Sequence, residues 1–79
     1  MKGGVVREVD LNKTLYDLTE EYPELIPVLA ELGFAGVAFP EMRESHGKVM
    51  TILSGHEQLG IDLTWVKRKL EELGFVVKQ

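Results

Sequence analysis

A leucine, a glycine and a large apolar residue occur in that order three times in 79 residues, as Leu32-Gly33-Phe34, Leu59-Gly60-Ile61 and Leu73-Gly74-Phe75. Each follows an apolar stripe of helical spacing. A glycine just past the last stripe residue supplies the backbone conformation that ends a helix, and the apolar residue after it folds back on the last turn. Three such stops hold every helix to a few turns. They exclude a single long rod and favour short helices meeting at tight corners.

The segment Thr14–Phe34 shows the plan most fully. Thr14 is a good N-cap, with Asp17 three residues on as a weak capping-box partner. Leu15, Leu18 and Tyr22 fall on one helix face. Pro23 forces Tyr22 out of the helical region and ends the first helix, and it suits the first turn of a second. Leu25, Val28, Leu29 and Leu32 form that helix's stripe before Gly33 stops it. Pro27 removes one hydrogen bond and is tolerable only if the second helix begins no earlier than about Pro23. Residues Thr51–Phe75 repeat the plan and end in the same Glu-Leu-Gly-Phe.

The connecting stretches read more simply. Ala35–Ala38 is a small-residue loop, and Pro40 starts a short third helix with Phe39, Met42 and His46 on one face, ended by Gly47. Thr51 caps a fourth helix bearing Ile52, His56 and Leu59. Asp62 caps a fifth, whose stripe is Leu63, Val66, Leu70 and Leu73. Val5–Leu11 alternates weakly and Phe75–Lys78 is β-prone, which allows a short two-stranded pairing of the termini. The expected fold is all-α, a compact orthogonal array of about five short helices in one domain over residues 1–79. A core of this size contributes only about 3–5 kcal/mol, so caps and close packing matter.

Composition removes several kinds of chemistry. The chain has no cysteine, so a disulfide framework, a thiolate zinc site, an iron–sulfur ligand set and a redox CxxC are excluded. Its net charge is −4, against the concentrated basic face of a duplex-binding domain. Met1-Lys2-Gly3-Gly4 leads into charge by Arg7 with no signal-peptide core. The longest apolar run, Phe34–Phe39, is six residues, far short of the roughly 20 that span a bilayer. The expectation is a soluble cytoplasmic protein that binds neither nucleic acid nor membrane.

His46 and His56 are the strongest ligand candidates, and both lie on apolar faces. One reading is an axial haem ligand or metal pair with Met42 or Met50 assisting. The other is an imidazole hydrogen-bonded to a carbonyl at a helix end, since no HxxxH or HxxE spacing is present. Ser45-His46 and Ser54/His56 are neighbours in sequence but lack an orienting acid and an oxyanion site. His46-Gly47-Lys48-Val49 lacks the remaining residues of a phosphate loop. Asp17, Glu20, Glu21, Glu24 and Glu31 make the first helical pair acidic, which is a solvated face or a docking surface for a basic partner. Lys67-Arg68-Lys69, followed by two glutamates, is an ordinary exposed face. Trp65 lies about a third of a turn from the fifth helix's stripe. It either covers the fourth helix from the flank or anchors a partner.

Asp10-Leu11-Asn12-Lys13-Thr14, Glu21-Tyr22-Pro23-Glu24, Leu32-Gly33-Phe34, Pro40-x-Met42, Gly47-x-x-Met50-Thr51-Ile52 and Gly60-Ile61-Asp62-Leu63 occur in this order. With the closing Leu73-Gly74-Phe75, this pattern resembles the domain of unknown function 1858 family from about Asp10 to Val77. The resemblance implies a small all-helical domain, found alone or fused to sensor and hemerythrin-like modules, without an established activity. One branch, the hybrid-cluster-protein-associated redox disulfide domains, carries a CxxC just before the proline. The amino-terminal domain of iron–sulfur repair proteins is distantly similar and also has cysteines there. The corresponding positions here are Gly36 and Phe39, so no thiol chemistry carries over. What carries over is an accessible corner at Gly33–Pro40. The resulting expectation is a non-catalytic, non-enzymatic interaction or regulatory module without a cofactor, contacting a protein partner or weakly a second copy. Its candidate surface is Gly36, Val37, Phe39, Pro40, Met42 and Trp65. The alternative is that Phe34 and Val37 plug the core while Phe39 lies over it. The competing function is a small-ligand, haem or metal site at His46 and His56.

Overall fold

The computed structural model describes residues 6–79. Val5, the first residue of the expected extended segment, and the Met1–Gly4 stretch read against a signal peptide lie outside them. The described chain runs β1 (Glu8–Asp10), α1 (Leu15–Glu21), α2 (Leu25–Leu32), a 3-10 turn (Ala35–Ala38), α3 (Pro40–Glu44), a second 3-10 turn (His46–Lys48), α4 (Ile52–Leu59), α5 (Leu63–Glu72) and β2 (Val76–Lys78). The two strands pair in parallel, Glu8 opposite Val76 and Asp10 opposite Lys78. A parallel pair needs a long crossover between its strands, and here the five helices are that crossover.

All three stops have the geometry their sequence demands. Phe34 N–H donates to Leu29 O (2.9 Å) and Gly33 N–H to Ala30 O (3.2 Å), the double bond of a Schellman motif. Phe75 and Gly74 repeat it on Leu70 O and Glu71 O, and Ile61 N–H reaches His56 O at 2.8 Å. Among the described residues the three glycines of these stops are the ones with positive φ. The stops of α2 and α4 also touch: a Cβ at Gly33 would lie 2.8 Å from Ile61 Cδ1.

The helix starts are equally specific. Thr14 Oγ1 accepts from Asp17 N–H, and Asp62 Oδ1 accepts from the amides of Thr64 and Trp65. Thr51 and Ser54 form a reciprocal capping box. Pro27 is the third residue of α2, where its missing N–H would have had no intrahelical partner. The N-caps of α1 and α4 join through an antiparallel bridge between Thr14 and Thr51, with Leu15 N–H donating to Met50 O at 2.8 Å. The two halves are therefore tied at corresponding positions.

One core takes residues from both halves: Val9, Leu11, Leu15, Leu18, Leu25, Leu29, Leu32, Phe34, Val37, Ile52, Val66, Leu70 and Phe75 are buried. Two stripe residues depart from expectation. Leu59 and Leu73 are 51% and 41% exposed, because each sits where the chain is already turning out of its helix. The third helix is also shorter than its apolar spacing implied. It ends at Glu44, and His46 belongs to the following 3-10 turn, because Gly47 is buried close to the Tyr16 amide and the Met42 carbonyl.

Alanine at Gly33 must adopt φ +121° and also meet the Ile61 side chain, whereas at Gly60 (φ +70°) it meets nothing within 4 Å. The left-handed region costs a non-glycine residue about 1–2 kcal/mol, and overpacking adds about 1–3 kcal/mol. Urea unfolding is expected to show Gly33→Ala losing more than about 2 kcal/mol and Gly60→Ala about 1 kcal/mol. Equal losses would show that the contact between the two stops carries no energy.

Candidate functional site

The corner after α2 is built by Gly33. Its turn drops Phe34 into the core at 2% exposure, and the chain then makes the Ala35–Ala38 turn and enters α3 at Pro40. Val37 N–H donates to Phe34 O, Phe39 N–H to Gly36 O, and Met42 N–H to Phe39 O, all between 3.0 and 3.1 Å. The Arg43 guanidinium donates to Val37 O across the corner. The backbone is thus pinned from both sides, and the small residues read as a loop form a hydrogen-bonded turn.

This corner divides the expected surface residues. Phe39 is 60% exposed and Met42 40%, with Pro40 exposed between them. Val37 does not belong to the surface. It is buried at 3% exposure, because the 3-10 turn points it inward with Phe34. Gly36 is half-buried and Trp65 is 49% exposed at the first turn of α5.

Beside the corner lies an apolar cleft of about 330 Å³. Leu15, Phe34, Val37, Met42, Met50 and Leu59 supply its hydrophobic lining, Gly33, Ala35, Gly36 and Gly47 its close backbone, and Arg43 and His46 its two basic side chains. The cleft brings together Gly36, Val37, Met42 and His46 from the residues named on sequence grounds. Phe39, Pro40, Trp65 and His56 do not line it.

The two histidines have different environments. His56 is half-buried and its Nδ1 lies 3.0 Å from Ile61 O, just past the end of its own helix. His46 is exposed at the cleft. Among the described residues no group of three or more histidine, cysteine, aspartate or glutamate side chains is placed to hold a metal ion. The serine hydroxyls are engaged locally: Ser45 Oγ donates to Glu41 O at 2.7 Å, and Ser54 Oγ serves the Thr51 capping box.

Three contributors carry no site signal in the sequence. Leu59 is one residue of an apolar helix face, and Arg43 is a single residue without a pattern. Gly55 is the third. It lies inside α4, where a Cβ would stand 2.9 Å from both Phe34 Cε1 and Met50 Sδ. Its missing side chain makes room for the two residues that form the cleft wall. A glycine in a helix interior is the available signal, because such a residue is usually there for close packing.

Fold and site together define a small helical domain with an open apolar cleft beside an exposed aromatic corner. The chain belongs to the family described as Domain of unknown function (DUF1858), whose model matches residues 9–64. That segment runs from Val9 in β1 through the cleft to the first two residues of α5, and it stops short of the Val77 limit that the resemblance suggested. No curated protein matches the chain. Among solved structures it is similar to the conserved domain protein from Streptococcus pneumoniae TIGR4, at 27% identity, with 95% of each chain covered and a TM-score of 0.89.

Gly55→Ala gains about 1 kcal/mol in helix propensity but must displace Met50 and a Phe34 ring held by its own turn. With overpacking at about 1–3 kcal/mol, the expected net result is a loss of about 1 kcal/mol. In a domain of this size that lowers Tm by about 4–8 °C. A stabilised variant would show that the ring moves freely.

Proposed function

We propose that this chain is a non-catalytic interaction module that contacts another protein, or weakly a second copy of itself, through the Phe39–Met42 corner. The observation that carries the reading is the combination of an exposed Phe39 with a backbone hydrogen-bonded on both sides of it. A large apolar side chain held out by a rigid turn loses little freedom when it docks, and aromatic residues are common anchors at protein interfaces. Trp65 is a second half-exposed aromatic and a candidate for the same role. The engagement of Ser45 and Ser54 in helix-end hydrogen bonds supports a non-catalytic role, since Ser45 Oγ donates to Glu41 O and Ser54 Oγ accepts from Thr51 N–H.

Phe39→Ser tests this directly. Because the side chain is mostly outside the core, the variant is expected to keep its stability within about 0.5 kcal/mol. Titration of the isotope-labelled chain with fractionated extract is expected to shift amides between Ala35 and Met42, and the variant to lose those shifts. Shifts confined to other regions, or unchanged in the variant, would remove the corner as the contact.

A further inference from the structure

We propose that the cleft beside the corner is a binding site for a small amphipathic carboxylate, a medium-chain acid of the fatty-acid class. Its alkyl chain lies against Phe34, Met42, Met50 and Leu59, with the carboxylate at Arg43 and His46. The size fits: 330 Å³ is at the lower end of the roughly 300–1,000 Å³ of small-molecule sites. The lining fits as well. No carboxylate, amide or hydroxyl side chain faces the cleft, and its two ionisable liners are both bases. In a chain with 13 acidic and 9 basic residues, the charged liner of the cleft among the described residues is the cation Arg43.

Arg43 is the residue on which the head-group assignment rests. It donates one N–H to Val37 O, and a guanidinium carries five donors. Among the described residues the ion pairs are Arg7–Glu24, Lys13–Glu21 and Lys78–Glu8, so Arg43 has no carboxylate partner. Glu41 and Glu44 share its helix but do not line the cleft. Arg43 is a half-buried residue without an ion-pair partner among the described residues, and a carboxylate matches the fork of its remaining donors.

The walls explain why the body is an alkyl chain. Two of the chain's three methionines line the cleft, and methionine is flexible and adapts to a ligand of variable shape. A peptide would bring backbone N–H groups that need acceptors, and the cleft offers no carboxylate, amide or hydroxyl side chain to accept them. An alkyl chain needs none. The site shares Met42 with the proposed protein contact, but the Phe39 anchor of that contact does not line it.

A head-group series on the unaltered chain tests the assignment: octanoate, octan-1-ol and octylamine, each below its micellar concentration, followed by Met methyl and backbone amide NMR. The expected result is that octanoate shifts the Met42 and Met50 methyls and the Gly36 and Gly47 amides, binding at least about fivefold more tightly than the alcohol or amine. Arg43→Gln is expected to weaken octanoate about tenfold, to the level of octanol, and Arg43→Lys to retain most of the preference. Phe39→Ser is expected to bind octanoate as the parent does, which separates this site from the corner contact. Equal binding of the three head groups, shifts away from the cleft, or no binding overturns the proposal. So does occupation of the cleft by an acidic, apolar peptide that octanoate fails to displace, which would make it part of a protein interface.

Discussion

The position of Phe34 depends on the turn at Gly33, and most of this structure depends on Phe34. The turn directs the ring into the core rather than away from it, and the 6→1 hydrogen bond to Leu29 holds it there. Once placed, the ring occupies the space that Gly55 leaves in α4, which links the first helical pair to the second. The same ring forms part of the cleft wall. A single backbone conformation open mainly to glycine therefore determines core packing, the contact between halves and the shape of the concave surface.

The terminal elements close the other end by a different means. Phe75 is delivered by an identical turn at Gly74 and meets Tyr22 edge-on, with ring centroids 5.2 Å apart. The Arg7 guanidinium lies 4.0 Å from the Phe75 ring centre and 3.5 Å from Glu24. Glu8 N–H donates to the Tyr22 hydroxyl. The parallel strand pair thus rests on aromatic and cation–π contacts beneath it, which matters because two three-residue strands alone are marginal in water.

The corner before Pro40 carries no cysteine. Gly36 and Phe39 lie on either side of Val37-Ala38 in it. One lines the cleft and the other stands in solvent. The corner keeps a hydrogen-bonded frame and presents the exposed Phe39 side chain.

The sequence alone determined the helices, because caps and glycine stops act within a few residues and leave local signatures. Thr14, Thr51 and Asp62 start helices and Gly33, Gly60 and Gly74 end them for reasons confined to one turn of chain. The exposure of Phe39 and the local hydrogen bonding of His56 were also open to local argument. Tertiary structure decided the rest. The burial of Val37, the exposure of Leu59 and the need for Gly55 follow from which helix lies across which. The cleft joins residues from α1, the corner, α3 and α4 that share no spacing. Local rules fix the direction of each side chain relative to its own helix, but whether that direction ends in core, cleft or water depends on packing between helices distant in sequence.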